Sequence, residues 1–97
     1  MKEQLLEIIN HYGLDKQLKY IHSEYFELDE AILNYENDSV NYYAEVEGYH
    51  KNHIAEEIAD VMVMLKQFQY YYGIEDSQIE DVMKNKIIRQ LNRIEEE

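Results

Sequence analysis

The chain has 97 residues, with no cysteine, no proline and only three glycines, and its 21 acidic and 9 basic residues give a formal net charge of −12. That length suits a single domain over residues 1–97, and a core so small favours self-association. The lack of cysteine excludes disulfides and thiolate metal sites. The acidity sets the chain against nucleic acid and anionic membranes as partners, and an anionic ligand would need a metal ion or a local basic patch.

The absence of proline and scarcity of glycine predict an all-α protein, a small four-helix bundle. A first helix is expected from about Lys2 to Tyr12, where Leu5, Ile9 and Tyr12 recur at helical spacing, with Gly13 in the left-handed position that ends it. A second is expected from about Asp15 to Glu36. Its apolar face is Leu14, Leu18, Ile21, Tyr25, Leu28, Ile32 and Tyr35, and Asn37-Asp38-Ser39 reads as a stop. Residues 38–49 are less regular, and Val40, Tyr42, Tyr43 and Val46 fit either a short strand or a packed loop.

The third helix is expected to start between Tyr49 and His53 and to end before Gly73, with Ile54, Ile58, Val61, Leu65, Phe68 and Tyr72 as its stripe. Gly48 reads as a break before it. The fourth opens with Ser77 and Glu80 in a capping-box arrangement and continues through Ile79, Val82, Met83 and Ile87. No apolar run reaches the length of a membrane span and no signal-peptide pattern stands at the start, so a soluble cytoplasmic protein is the expectation.

Glu24 and Glu27 share one edge of the second helix, because residues three apart point roughly 60° from each other. Glu57 and Asp60 share one edge of the third. Each pair borders an apolar stripe: Ile54, Val61 and Met64 stand at −3, +4 and +7 from Glu57. A lone buried carboxylate is expensive and needs partners. Two pairs on facing helices would surround one volume, and like charges so close resist ionising together unless a cation sits among them. Hard oxygen donors of this kind suit Mg²⁺, with Mn²⁺ as a substitute. Acidic pairs at this spacing also occur on solvated helix faces, which is the competing explanation.

Lys86, Arg89 and Arg93 form one basic ridge on the fourth helix, suited to phosphate oxygens. Cations near a helix C-terminus are also favoured by its dipole, and Glu95, Glu96 and Glu97 can pair with them. His50 and His53 flank the start of the third helix. Glu47 and His50 give one E-x-x-H spacing, but a di-iron bundle needs two. Tyr70, Tyr71 and Tyr72 span most of one helical turn, so they cannot all enter one core.

Glu24-x-x-Glu27 followed by Glu57-x-x-Asp60 resembles the E-x-x-E … E-x-x-D signature of MazG-like, all-α nucleoside triphosphate pyrophosphohydrolases. The string His53-Ile54-Ala55-Glu56-Glu57-Ile58-Ala59-Asp60-Val61 is similar to that family's second motif, and Lys86-Ile87-Ile88-Arg89-Gln90-Leu91 resembles the basic segment of its last helix. Ser23 stands where many members carry a first glutamate. The resemblance implies Mg²⁺-dependent hydrolysis of a nucleoside triphosphate to monophosphate and pyrophosphate. Glu24, Glu27, Glu57 and Asp60 would be the metal ligands, and Lys86, Arg89 and Arg93 the phosphate contacts. It also implies a homodimer or homotetramer in which paired subunits build each pocket. Two alternatives stay open: a non-enzymatic helical oligomerisation module, and the same fold acting on phosphoribosyl-ATP or dUTP.

Overall fold

A chain without proline has nothing to stop a helix except glycine, caps and packing, and the helices here are long. The computed structural model describes the backbone of residues 1–38 and 44–97 and the side chains of residues 1–37 and 48–97. Four helices follow in order, α1 (Lys2–Tyr12), α2 (Leu14–Asp38), α3 (Ala44–Tyr71) and α4 (Asp76–Glu96), and no strand occurs among the described residues. Val40, Tyr42 and Tyr43 lie outside the described residues; Val46 lies in α3.

Two of the three glycines are breaks. Gly13 breaks the chain between α1 and α2 as expected, but with φ +92° and ψ 151° it takes an extended conformation open only to glycine and not the left-handed helical position. Gly73 takes φ +69° after α3. Gly48 does not have a positive φ and lies within α3, which starts at Ala44 and not between Tyr49 and His53. Glycine inside a helix only weakens it. A Cβ added at Gly48 would meet nothing within 4 Å. Gly48→Ala is therefore expected to raise stability by about 0.5–1 kcal/mol. Gly13→Ala is expected to lower it by about 1–3 kcal/mol. Urea unfolding of the two variants checks both signs.

The helices α2 and α3 form an antiparallel hairpin, with α1 packed mainly on α3. The register is marked by polar contacts. Gln17 meets Gln67 at 2.8 Å, Glu24 and Glu27 meet Glu57 and Asp60, and the rings of Tyr35 and His50 lie 5.7 Å apart. The step of seven from Gln17 to Glu24 along α2 is matched by the step of seven back from Gln67 to Asp60 along α3. Both helices are rotated relative to the stripes that hydrophobicity alone predicts. On α2, Gln17, Glu24 and Ala31 are buried while Leu18, Tyr25 and Ile32 are exposed. On α3, His50, Glu57, Met64, Gln67 and Tyr70 are buried while Ile58 and Leu65 are exposed, as is Tyr72 just beyond its end. The buried apolar side chains reduce to Leu5, Ile9, Ala31, Met64 and Tyr70 among the described residues.

The turn from α3 to α4 is tightly built. Gly73 N–H donates to the Tyr70 carbonyl at 3.0 Å and Ile74 N–H to the Gln69 carbonyl at 3.0 Å, a Schellman closure. Asp76 then accepts from Lys66 Nζ at 2.7 Å, Gln69 Nε2 at 2.8 Å and the Tyr70 hydroxyl at 2.8 Å. The capping box at Ser77 and Glu80 does not form: α4 already starts at Asp76, Glu75 holds the cap position, and no side chain caps it. Lys66 first, then Gln69 and Tyr70, hold the Asp76 carboxyl well below the usual carboxylate range. A depressed carboxylate stabilises the fold above its unfolded pKa, about 3.9, and that contribution is lost as pH falls further. The Asp76 side chain is 64% exposed, so water screens the effect. Asp76→Asn is expected to lower the melting temperature at pH 7 and to lower it less near pH 2, where part of the contribution has been lost. Circular-dichroism melts at the two pH values read the difference.

Beyond the Asp76 contacts at its root, α4 does not pack along any of the other three helices among the described residues, and it has no buried residue. Ile79, Met83, Ile87, Leu91 and Ile94 recur at helical spacing along it. All but Ile79, which is half-buried, are exposed. The radius of gyration is 17.0 Å, against about 13 Å for a compact chain of this length. A single chain thus leaves α4 and the outer face of α3 without apolar cover.

Candidate metal centre

Glu24 and Glu27 come from the middle of α2, and Glu57 and Asp60 from the facing turn of α3. Their i, i+3 spacing turns each pair toward the opposite helix, and the hairpin register puts the two pairs at one level. One carboxylate oxygen from each lies within 4.8 Å of all the others. Two oxygens on opposite sides of a Mg²⁺ ion stand about 4.2 Å apart, so closing on an ion needs only side-chain adjustment.

The four are not equivalent. Glu24 and Glu57 are buried, whereas Glu27 and Asp60 are exposed at the rim. Glu24 Oε2 and Glu57 Oε2 are buried with no hydrogen-bond partner. Burying a carboxylate oxygen without a donor is unfavourable. No lysine or arginine among the described residues pairs with any of the four. His53 Nδ1 approaches Glu57 Oε1 only to 4.0 Å. Burial first, then the Glu27 and Asp60 charges, push the Glu57 carboxyl above the ordinary carboxylate range, with His53 pulling the other way. Tyr20, one turn before Glu24, hydrogen-bonds to its carboxylate, and this raises the phenol above its ordinary value.

The donor set is all oxygen and strongly anionic, and two of its carboxylates each bury an oxygen without a hydrogen-bond donor. That suits a hard divalent ion, Mg²⁺, Mn²⁺ or Ca²⁺, better than Zn²⁺ or a di-iron pair, whose sites take histidine or thiolate. The Glu47 side chain of the single E-x-x-H spacing lies outside those described.

All four carboxylates singled out from the sequence are therefore brought together. The basic ridge is not brought to them within one chain. Lys86 and Arg89 border a shallow recess on α4 with Val82 and Asn85, and Arg93 lies one turn further on the same unpacked helix. Two residues without any sequence-based expectation join the site's surroundings. Gln17 and Gln67 are buried two helical turns from Glu24 and Asp60, each at a spacing of seven from its ligand. That shared i, i+7 spacing of polar residues was the signal available for them. No helix among the described residues is long and apolar enough to cross a membrane. No protein-family model, curated protein or solved structure matches the chain.

Proposed function

We propose that the protein is a Mg²⁺-dependent nucleoside triphosphate pyrophosphohydrolase of the MazG-like kind, working as a homo-oligomer. The observation that carries this reading is the pair of buried, unpartnered oxygens of Glu24 and Glu57 inside a ring of four carboxylates. Surface acidity for solubility does not bury carboxylates on the inner face of a hairpin; a cation site does. Glu24, Glu27, Glu57 and Asp60 would hold the ion. When bound, it would offset the triphosphate charge and lower the pKa of a coordinated water. A rim carboxylate, Glu27 or Asp60, both exposed, would take a proton from water. Lys86, Arg89 and Arg93 would steady charge on the phosphates from a neighbouring subunit.

The test is direct. Purified protein with Mg²⁺ and a panel of common and modified (d)NTPs, together with phosphoribosyl-ATP and dUTP, is expected to release pyrophosphate from at least one of them. Release from none sinks the enzymatic reading. The exposed apolar length of α4 favours a second reading, a helical module that only oligomerises. Such a module would show no Mn²⁺ binding by calorimetry, whereas the metal centre requires it.

A further inference from the structure

One cavity opens from the carboxylates and extends beyond them along α2 and α3. It has a volume of about 530 Å³, within the range of small-molecule sites. Glu24, Asp60, Gln17, Gln67, Tyr12 and Tyr20 line it, together with Lys16 and apolar side chains of α1 and α3. Gln67 is 1% exposed and Gln17 is 6% exposed. Gln17 Nε2 donates to Gln67 Oε1 at 2.8 Å, and the Gln67 amide nitrogen reaches only the Met64 sulfur, at 3.7 Å. A thioether is a weak acceptor. Two buried amides with one good hydrogen bond between them are poor core material, since a polar group loses its water on burial and needs partners in exchange. Gln17 retains a carbonyl oxygen and a second N–H that no described residue satisfies. Whichever way the amide is turned, it offers a donor and an acceptor side by side.

The spacing adds a length. Gln17 precedes Glu24 by seven residues, which is roughly 10 Å along a helix. That is the reach of a nucleotide from its phosphates to the far edge of its base. Along α2 the lining residues follow in the order Glu24, Tyr20 and Gln17, so a ring able to stack on a planar group stands between a carboxylate and an amide edge, with Tyr12 of α1 also on the lining. We infer that the Gln17–Gln67 pair reads the base of a bound nucleotide by a donor–acceptor contact, with Tyr12 or Tyr20 against the base face. This rests on the nucleotide reading above and goes further, by assigning base discrimination to named side chains. A glutamine pair that only pinned the register of α2 on α3 would affect stability and leave base preference alone.

Calorimetry on the full chain with Mg²⁺ separates these roles. The probes are inorganic tripolyphosphate and non-hydrolysable α,β-imido triphosphates of adenosine, guanosine, cytidine and uridine. At least one nucleotide is expected to bind roughly 10- to 100-fold tighter than the others, the range of a good two-point base contact. Gln17→Met/Gln67→Met removes both amides together, so that neither is left unpaired, and it is expected to keep the tripolyphosphate affinity and lose the preference. A preference that survives the double substitution, or four equal affinities in the wild type, overturns the inference while leaving the metal–phosphate reading in place. A second measurement does not depend on the variant folding. The side-chain amide resonances of Gln17 and Gln67 are expected to move with the preferred nucleotide and not with tripolyphosphate. Resonances that stay put overturn the inference. Base-selective binding without any tripolyphosphate binding supports the glutamine pair and removes the phosphate site, and failure of every probe to bind overturns both.

Discussion

Glu57→Gln is expected to make the metal-free protein more stable and to abolish its activity. Glu57 is buried, faces three other carboxylates, and has one oxygen with no donor. Removing its charge relieves repulsion inside the hairpin, and the amide keeps the side-chain shape. The same change removes a ligand from the ion. In a chelator, the variant should melt above the wild type. With Mg²⁺ added, the wild type should gain stability, by about 2.7 kcal/mol once the ion is a hundredfold above its dissociation constant, and the variant should gain little. Pyrophosphate release should fall on the order of 10²- to 10⁴-fold. Glu27→Gln, at the exposed rim, should lose activity with a smaller gain in stability. A Glu57→Gln protein that melts below the wild type in chelator and still responds to Mg²⁺ would mean that the four carboxylates do not form a metal centre. Stability withheld at a ligand set and recovered when a ligand is removed is the ordinary trade-off at functional sites.

The same residues show what the sequence reveals and what it conceals. The span of α1, the breaks at Gly13 and Gly73, and the meeting of Glu24, Glu27, Glu57 and Asp60 follow from helical spacing and glycine chemistry, which are local rules. The faces of α2 and α3 do not. Leu18, Tyr25, Ile32, Ile58, Leu65 and Tyr72 form regular stripes and yet lie outside, while Gln17, Glu24, Glu57 and Gln67 lie inside. Periodicity shows that a helix has an apolar face, but not whether that face meets its own chain or another. Where the inner face is polar for function, the apolar stripe is a misleading guide to the core. Gly48 failed as a break because nothing there demands a positive φ. The capping box failed because Asp76, bonded by Lys66, Gln69 and Tyr70, is already the first helical residue, which puts the cap at Glu75, two residues before Ser77.

The exposed stripes lead to the second large effect, which concerns α4. Ile87 lies midway along this helix and is 54% exposed, on a face that continues through Met83, Leu91 and Ile94. Covering such a side chain in an interface is worth about 1.5–3 kcal/mol, and a carboxylate in its place adds a desolvation penalty. Ile87→Glu is therefore expected to weaken self-association at least 10-fold and to shift the protein toward monomer in analytical ultracentrifugation. Activity should fall in parallel, because the basic ridge does not reach its own carboxylates. With α4 unpacked on α1, α2 or α3, Lys86, Arg89 and Arg93 can serve a metal centre only if that centre belongs to another copy. Mixing decides this. Subunits carrying Glu57→Gln lack a working carboxylate set but keep the ridge, and subunits carrying Arg89→Glu keep the carboxylates but lack the ridge. Each alone should be inactive. Exchanged together, they should recover turnover that neither has, because a hybrid assembly contains one intact pairing of ridge and carboxylates. A mixture that stays inactive although ultracentrifugation with tagged subunits shows hybrids would mean that the ridge does not act across the interface, and Arg89 would then lose its place in the mechanism.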